Sequence, residues 1–354
     1  MKVLFLGFGN VGRRLAEILS GRAAYPGLAD LDVSVVGITT GSKGSAAQAV
    51  GLDLRTVLEE IRTQGKLSGR LTSLEAIRAL DYDVMVEMTP LDIRGRGAVA
   101  ITHVREALER GRHVITCNKA PLAWAYRPLR DLARRQGRSF LYETTVMDGA
   151  PVFNLAQRCL RGNTVQRLEG ILNSTTNYVL CAMENGRSME AALSAAQALG
   201  IAEADPRNDL DGWDAAVKTA ALANVLLDAG ITPEDVERES IAAITPDRVR
   251  EALARGRRIK MVCEAWREQG RVIGRVVARE IPLADPFALV AGTGSILRLT
   301  TDIAGKIVLT EEDPDLSTTA YGVISDLLRL RPEALGGEGG LAGGGRNTRN
   351  PDRW

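Results

Sequence analysis

The sequence predicts an α/β protein in which an N-terminal Rossmann-type, doubly wound parallel sheet precedes an α+β domain for substrate binding and dimerisation. A short apolar strand runs into a glycine-rich turn at the N-terminus, and strands and helices alternate over residues 1–145. Later segments alternate apolar and polar residues, as half-buried strands do. We place the second domain at 146–310, a closing helix that returns to the first domain at 311–335, and a disordered tail at 336–354.

The composition is that of an ordinary globular protein and excludes several functional classes. The 354 residues carry 45 Lys and Arg against 44 Asp and Glu, so a net charge of +1 gives no general attraction to nucleic acid or anionic membranes. No apolar run approaches the roughly 18 residues of a membrane span, and the glycine turn interrupts what would be the core of a signal peptide. The four cysteines include no CxxC pair, which predicts reduced thiols in a cytoplasmic protein.

The glycine-rich turn predicts a dinucleotide site. After a strand at 3–6 the chain reads Gly7, Phe8, Gly9, Asn10, Val11 and Gly12, and a helix is expected at 13–19. In such a turn the first glycine permits the tight bend, the second lets the backbone approach a pyrophosphate, and the third lets the helix pack closely on the strand. The helix N-terminus then offers free N–H groups to the phosphates. The alternative is a plain strand–turn–helix without a ligand.

The residues after the second strand, expected at 33–38, indicate which dinucleotide is preferred. A site for NAD usually carries an acid here for the ribose 2′-hydroxyl. This chain instead has three hydroxyls and a cation, at Thr39, Thr40, Ser42 and Lys43. They favour the 2′-phosphate of NADP. NAD stays open as the alternative, as does a Lys43 that is simply solvated.

Two later strand ends should face the same crevice. Further strands are expected at 83–88, 113–117 and 139–143, with helices at 54–62, 73–79, 99–110 and 127–136. Because ligands of doubly wound sheets lie at the C-terminal ends of the strands, Thr89 should lie beside the cofactor. Lys119, which follows the strand at 113–117, should face the same crevice.

The second half of the chain reads as helices around antiparallel strands. Strands are expected at 165–172, 259–266, 271–280, 297–301 and 303–309, and helices at 152–160, 188–199, 211–227 and 318–330. A polar turn at 173–178 opens a further helix and could present hydroxyl and amide groups to a ligand, or Asn173 could simply cap that helix. The junction at 143–151 could wrap carbonyls around a monovalent cation, but its chemistry alone favours a domain hinge.

The stretch from residue 200 to residue 218 is the predicted substrate site. It contains five carboxylates and one lysine. Asp214 and Lys218 share a helix face, which by itself would predict an exposed salt bridge of about 0.3–0.5 kcal/mol. The helix is otherwise apolar, so we expect it to be buried and Lys218 to need partners such as Asp209 and Asp214. Glu203, in the preceding loop, is free to hold an ammonium group.

These groups suit hydride transfer to or from an amino acid. A lysine beside a carbonyl oxygen can stabilise a developing alkoxide and supply its proton. In the oxidation direction the lysine must be neutral, so alcohol oxidation should accelerate at alkaline pH.

Over residues 2–330 the chain resembles homoserine dehydrogenases. The resemblance rests on GFGNVG at 7–12, VITCNKAPLA at 114–123, GILNSTTNY at 170–178 and, above all, the stretch 203–218. It implies NAD(P)H-dependent reduction of L-aspartate 4-semialdehyde to L-homoserine, for threonine, methionine and isoleucine synthesis, by a cytoplasmic homodimer.

The resemblance also implies residue roles. Lys218 corresponds to the proton donor, and Lys119 to the lysine at the cofactor–substrate junction. The substrate-binding residues correspond to Glu203, Asp209, Asp214 and Thr175. A sodium ion would be bound, mostly through carbonyls, at Glu143, Val146, Asp148 and Ala150, which reverses the preference for a simple hinge.

Three departures from the family pattern stand out. Ser174 replaces the usual glycine of the substrate turn, and an acidic segment at 310–316 stands where the family has a glycine-rich loop near the nicotinamide. The chain also ends before the C-terminal regulatory domain of many members, so we expect no threonine feedback through such a domain.

The acidic segment motivates an alternative function, a cofactor-binding homologue with weak or lost catalysis. A third reading, a semialdehyde oxidoreductase that forms a thioester, would require Cys117 as a nucleophile, with His113 as its base candidate.

Overall fold

The computed structural model describes residues 1–330, and two six-stranded sheets organise them. The strands are β1 (Lys2–Leu6), β2 (Ser34–Thr39), β3 (Ser45–Ala47), β4 (Val84–Glu87), β5 (His113–Thr116), β6 (Phe140–Leu141), β7 (Val165–Ile171), β8 (Val236–Arg238), β9 (Arg257–Glu268), β10 (Arg271–Pro282), β11 (Ser295–Thr301) and β12 (Lys306–Glu311). The predicted tail at 336–354 lies outside the described residues.

The helices surround these sheets. They are α1 (Asn10–Ser20), α2 (Leu54–Gln64), α3 (Ser73–Ala79), α4 (Ala98–Glu109), α5 (Ala120–Arg135), α6 (Val152–Asn154), α7 (Ser174–Glu184), α8 (Met189–Ala198), α9 (Arg207–Leu210), α10 (Trp213–Leu226), α11 (Pro246–Ala254), α12 (Pro286–Leu289) and α13 (Leu316–Arg329). Shorter 3-10 turns lie at Arg22–Ala24, Pro26–Leu28, Glu143–Thr145, Pro233–Asp235 and Ile241–Ala243. Among the described helices none has the length and hydrophobicity that crossing a bilayer requires.

The first sheet confirms the predicted Rossmann-type architecture. Its order is β3-β2-β1-β4-β5-β6, and every neighbouring pair is parallel except β2–β3. Because helices cover both faces, β1 is an unbroken apolar run whose residues 3–6 are fully buried. The antiparallel edge strand β3 was not predicted, since it has only three residues and no clear alternation.

The second sheet is mixed, with the order β12-β11-β7-β9-β10-β8. All its neighbouring pairs are antiparallel except β8–β10. Helix α10 packs against β9 and β10 through small side chains, including Ala215, Ala216 and Ala220, so its backbone lies close to the sheet. This packing buries α10 deeply and holds its first turn at the edge of the cleft between the two sheets.

The last described helix leaves the second sheet and packs on the first. Ala320, Val323, Ile324 and Leu327 of α13 share one apolar core with β1 and α1. Four residues separate the end of β12 from the start of α13, within the segment 311–335 that the sequence assigns to a closing helix.

Several element boundaries differ from the prediction. Helix α5 begins at Ala120, seven residues earlier than expected, and bends at Ala125, since Pro128 cannot donate a main-chain hydrogen bond. The expected helix at 152–160 is one turn of α-helix followed by a π-helical turn at Leu155–Cys159. Gly212, with φ of +73°, separates α9 from α10, so the expected helix at 211–227 begins only at Trp213.

A buried carboxyl joins the ends of β4 and β5. Glu87 is fully buried, and its Oε1 accepts hydrogen bonds from the main-chain nitrogen of Thr89 at 2.9 Å and from the Thr89 hydroxyl. The Thr116 hydroxyl donates to Oε2 at 3.0 Å. Burial raises the pKa of Glu87 to about 7. This side chain therefore fixes the turn after β4 relative to β5.

Replacing Glu87 by Gln should remove part of the pH dependence of stability. The folded protein keeps the Glu87 proton up to a pKa of about 7, above the ordinary value of 4.5, so folding loses stability as pH rises through this window. From about pH 5 to about pH 8 the wild-type free energy of unfolding should fall by about 1–3 kcal/mol more than that of Glu87→Gln. Urea unfolding at both pH values measures this difference, and equal falls would contradict the assignment.

Candidate active site

The polar residues singled out in the sequence meet where the first sheet faces α10. Lys119 follows β5 and precedes α5, Asn173 lies between β7 and α7, and Asp214 and Lys218 lie on α10. These three segments are far apart in the sequence and converge at the C-terminal edge of the parallel sheet.

A buried amide holds α10 against the first sheet's helices. The Asn224 side chain donates to the carbonyl oxygens of Leu122 at 2.9 Å and Ala123 at 3.3 Å, in the first turn of α5. It also donates to the Ile231 carbonyl at 2.8 Å, so the amide nitrogen is fully engaged. This contact fixes Lys119, at the start of α5, relative to α10.

Asp214 is the centre of the cluster. Its Oδ1 accepts from Lys119 Nζ at 2.9 Å and its Oδ2 accepts from Asn173 Nδ2 at 3.0 Å. Burial alone would raise the pKa of Asp214, but the ammonium groups of Lys119 and Lys218 outweigh it and hold that pKa well below its usual range. Burial would likewise lower the pKa of Lys119, yet the Asp214 carboxylate keeps it raised. The pair is therefore ionic.

Asn173 connects Asp214 to a second carboxylate. Its Nδ2 also donates to Asp209 Oδ1 at 2.7 Å, while its Oδ1 accepts from the main-chain nitrogen of Thr176 at 2.8 Å. Burial raises the pKa of Asp209, and the Asp214 carboxylate raises it further. The capping role expected as the alternative for Asn173 is confirmed, and the same side chain also bridges two acids of the site.

Lys218 lies one helical turn beyond Asp214 and reaches the end of β7. Its Nζ donates to the Leu172 carbonyl oxygen at 2.5 Å. Asp214 is bonded to Lys119 and Asn173 instead, so an exposed salt bridge between Asp214 and Lys218 is the wrong interpretation. A neutral carbonyl occupies one of three ammonium donors, which leaves Lys218 able to bond to a ligand.

Thr175 on α7 and Glu203 in the loop before α9 differ in their contacts. The Thr175 hydroxyl donates to the Ile201 carbonyl oxygen at 3.2 Å, which fixes the start of this loop on α7. The Glu203 side chain is exposed, and within residues 1–330 only the Glu203 carbonyl is bonded, by Gln197 Nε2 at 3.1 Å. The structure therefore brings Thr175 into the cluster but leaves the Glu203 carboxylate outside it.

The glycine turn has the geometry that a dinucleotide requires. Gly7 has φ of +91°, and a Cβ there would lie 2.4 Å from the Met88 carbonyl oxygen, so no other residue fits. A Cβ on Gly12 would lie 3.0 Å from the Gly7 carbonyl oxygen. A Cβ on Gly9 would meet no atom within 4 Å, and no side chain caps α1. Open space thus adjoins the first amides of the helix, as phosphate binding requires.

The turns after β4 and β5 are bonded to each other beside this crevice. Asn118 Nδ2 donates to the carbonyl oxygens of Thr89 at 3.0 Å and Pro90 at 3.2 Å, and its Oδ1 accepts from Ala120 N at 2.9 Å. Thr89 and Lys119 therefore lie on adjacent strand ends, where the sequence placed them. The bracing role of Asn118 was not predicted.

The four predicted residues at the end of β2 and in the turn that follows it are not equally available to a ligand. The Thr39 hydroxyl is buried and bonded to Ser73 Oγ at 2.9 Å. The Thr40 hydroxyl closes its own turn, donating to the Gly44 carbonyl at 2.9 Å and accepting from Lys43 N at 2.6 Å. Ser42 and Lys43 are exposed, so these two side chains are the ones that can reach a 2′-phosphate.

The Glu143 carboxylate is already engaged in the predicted cation loop. Its two oxygens accept from the main-chain nitrogens of Phe153 at 2.7 Å and Asn154 at 2.8 Å. Within residues 1–330 no three His, Cys, Asp or Glu side chains are grouped to hold a metal. A cation in this loop would therefore depend on main-chain oxygens.

Two carbonyl groups of the loop keep lone pairs free for a further contact. The Val146 carbonyl accepts no hydrogen bond in the described part of the chain, and the Ala150 carbonyl accepts one, from Val152 N at 2.8 Å. Asp148, with φ of +33°, turns the loop back on itself, and its Oδ1 accepts from the Thr319 hydroxyl at 2.8 Å. Oxygen donors of this kind are what hard cations prefer.

Sequence reasoning missed Glu311, the last residue of β12. Its Oε1 accepts from Gly149 N at 3.0 Å, so it contacts the cation loop. Burial raises the pKa of Glu311 to about 7, and the charges of Asp148 and Lys218 also act on it. The sequence did contain a signal for its partial burial. Ile307, Leu309 and Glu311 occupy alternate positions of one strand, so Glu311 points to the same face as two apolar side chains.

Cys117 lacks the partners that thioester chemistry needs. Burial raises the pKa of the Cys117 thiol well above its ordinary value. His113 lies at the opposite end of β5, where its Nδ1 accepts from Ser139 N at 3.1 Å. The cysteine therefore has no adjacent histidine to activate it.

The comparisons with known proteins agree with this geometry. Residues 7–143 match the NAD-binding domain of homoserine dehydrogenase, and residues 151–328 match the homoserine dehydrogenase family. A homoserine dehydrogenase of Methanocaldococcus jannaschii is 36% identical, covering 93% of this chain and 98% of the relative. An NAD(+)-dependent homoserine dehydrogenase of Pseudomonas canavaninivorans is 34% identical, covering 94% and 97%.

A solved structure extends the likeness to three dimensions. A hyperthermophilic archaeal homoserine dehydrogenase in complex with NADPH superposes with a TM-score of 0.78 at 26% identity, covering 93% of this chain and 96% of that one. Together with the family matches over both sheets, this shows that the chain belongs to the homoserine dehydrogenase family of NAD(P)-dependent oxidoreductases that act on a CH–OH group.

Proposed function

We propose that this protein catalyses the reversible NAD(P)H-dependent reduction of L-aspartate 4-semialdehyde to L-homoserine, in threonine, methionine and isoleucine biosynthesis. The observation that carries the proposal is the position of Lys218 beside the Lys119–Asp214 pair, at the C-terminal edge of a dinucleotide-binding sheet. Family membership supports the substrate, and the position of Lys218 supports its assignment as the proton donor.

Lys218 is the proposed proton donor. When bound, the reduced nicotinamide supplies the hydride that converts the aldehyde carbon to an alcohol. Negative charge then develops on the aldehyde oxygen, where the Lys218 ammonium stabilises it and donates the proton. In the reverse direction the neutral amine of Lys218 accepts the hydroxyl proton, so oxidation is faster at alkaline pH.

The remaining predicted residues would orient the substrate. Lys119, held by Asp214, is proposed to act at the cofactor–substrate junction. There its positive charge would attract the oxygen atoms of the bound substrate. Asp209, Asp214 and Thr175 line the substrate side, and Asn173 sets the spacing of the two acids. For Glu203 we propose that its loop moves inward when substrate binds, because its carboxylate is exposed in this structure.

NADP is the proposed preferred cofactor. The support is the lack of an acid after β2 and the presence of Ser42 and Lys43 as exposed side chains at that point. The pyrophosphate would lie against the glycine turn, formed by Gly7, Phe8, Gly9, Asn10, Val11 and Gly12. Thr39 and Thr40 would shape the pocket, and Thr89 would lie beside the cofactor. A monovalent cation, which the family resemblance implies is sodium, would be bound by the carbonyls of residues 143, 146, 148 and 150.

A homodimer in the cytoplasm is the proposed working form. The free thiols of Cys117, Cys159, Cys181 and Cys263 suit a reducing compartment. The face of the second sheet opposite α10 carries Glu169 and Glu264 among four arginines, at positions 167, 275, 279 and 298, a pattern of charges that a second copy could cover.

Lys218→Ala should abolish most turnover without affecting cofactor binding. Loss of a positioned general acid should lower kcat by about 10²- to 10⁴-fold. Steady-state oxidation of L-homoserine should rise from about pH 7 to about pH 10 in the wild type and stay flat in the variant. Lys306→Ala, an exposed lysine on β12, is the control. Near-normal kcat in Lys218→Ala would refute the assignment, and NADPH binding without any wild-type turnover would favour the non-catalytic alternative.

Lys43→Ala should weaken the preference for NADP. Losing one contact to the 2′-phosphate should raise the KM for NADPH about tenfold, equivalent to about 1.4 kcal/mol. The KM for NADH should not change, since NADH has a 2′-hydroxyl. Comparing both cofactors in the wild type and the variant measures the effect. An equal rise in KM for both cofactors, or no rise in either KM, would mean that Lys43 does not contact the 2′-phosphate.

A further inference from the structure

The first turn of α1 places a positive side chain at the positive end of a helix. Arg13 is the fourth residue of α1, and this turn contains no acidic residue. Gly9 precedes the helix without a side-chain cap, so the first main-chain N–H groups keep their partial positive charge. Because the helix dipole repels a cation at this end, Arg13 does not favour the helix by itself. Such a departure from a local rule is expected at a functional site.

The Arg13 guanidinium lies over the first turn of α1. Its Nη2 donates to Asn10 Oδ1 at 2.7 Å. Helical side chains lean toward the helix N-terminus, and residues three positions apart share a face, so the contact follows from helix geometry. Asn10 is part of the glycine turn and follows Gly9, on which a Cβ would meet no atom within 4 Å. The guanidinium therefore lies beside the open space in front of the first amides of α1.

The groove that contains this guanidinium is positively charged. It has a volume of about 540 Å³ and runs along α1 beside α2 and the start of α13. Its charged lining residues are Arg13, Arg14, Glu17, Arg55, Glu59 and Arg62. Arg14 and Arg62 are each paired with a glutamate three positions away, at 2.8 Å and 2.6 Å between nitrogen and oxygen. Arg13 and Arg55 form no ion pair within residues 1–330, so two positive charges remain without a partner.

The pyrophosphate is the part of the dinucleotide that suits Arg13. A guanidinium presents five donors in a planar fork, which can bind a phosphate through two parallel hydrogen bonds. The 2′-phosphate is expected at Ser42 and Lys43 and the cofactor's other end beside Thr89, and none of these three residues lines the groove. Asn10 does line it and belongs to the turn against which the pyrophosphate would lie.

We propose that Arg13 binds the pyrophosphate of the dinucleotide and supplies affinity that NADPH and NADH share. The inference rests on the cofactor of the proposed function and is independent of its substrate. It gives Arg13 a different role from Lys43, which is assigned to the 2′-phosphate of NADPH alone. It also explains why the first turn of α1 carries an arginine where a helix by itself would favour an acid.

Direct binding measurements test the assignment. Calorimetric titrations of Arg13→Gln with NADPH and with NADH should give dissociation constants about tenfold higher than those of the wild type, with an unchanged ratio between the two cofactors. ADP-ribose, which has the pyrophosphate but neither the 2′-phosphate nor the nicotinamide, should lose affinity by the same factor. Arg13→Lys keeps the charge without the planar fork and should fall between the two. Arg62→Gln, a paired and exposed arginine of the same groove, is the control and should bind as the wild type does.

The thermal stability of the cofactor-free protein separates a lost contact from a damaged turn. Because Arg13 opposes the dipole of α1, Arg13→Gln and Arg13→Glu should melt no lower than the wild type without cofactor. At one fixed NADPH concentration both variants should gain less in melting temperature than the wild type does. An arginine that only held the turn together would instead give variants that melt at lower temperatures without cofactor.

Three results would overturn the inference. Unchanged dissociation constants in Arg13→Gln would mean that the side chain is simply solvated. A rise confined to NADPH would place Arg13 at the 2′-phosphate. A shared rise with a lower melting temperature of the cofactor-free variants would attribute the loss to a damaged turn. If the shared rise appears without that lower melting temperature, but the wild type does not oxidise L-homoserine, the inference stands and the proposed function fails.

Discussion

The bonds of the Asp214 carboxylate to Lys119 and Asn173 are the interaction on which the rest of the site depends. They join the end of a strand in the first sheet, the turn after β7 and the start of α10. A carboxylate with so little exposure is costly unless every oxygen is paired, and removing one partner of a buried pair typically costs about 3–5 kcal/mol. The pairing therefore holds these three segments in one arrangement at the cleft.

The packing around this ion pair explains why it can persist. Alanines on α10 let the helix lie close to β9 and β10, and the Asn224 amide fixes α10 to the first turn of α5. Lys119 and Asp214 are thus carried on elements that are already held together by contacts deeper in the structure. Lys218 lies one turn further along α10, so the same contacts fix its position. In the described part of the chain it is bonded only to a neutral carbonyl. Its charge remains available to a reacting oxygen, as proton transfer requires.

The sequence could predict those parts of the site that depend on local pattern and on strand direction. The glycine turn, the burial of α10 and the position of Lys119 at a strand's C-terminal end follow from rules that act within a few residues or within one sheet. Asn173 as a bridge, Asn118 as a brace and Glu311 as a buried acceptor were not predicted, because each role depends on residues at least 28 positions away. The bend at Ala125 could have been anticipated from Pro128, whereas the three-residue strands β3 and β8 carry too little periodicity to be recognised.

A double-mutant cycle on Lys119 and Asp214 tests the central claim most directly. We would measure kcat/KM for L-homoserine in the wild type, Lys119→Met, Asp214→Asn and the double variant. If the two side chains act as one unit, the double variant should be no worse than the poorer single variant, with a coupling of at least about 1.4 kcal/mol, or tenfold. Losses that simply multiply would show that the two residues act independently and would contradict the account.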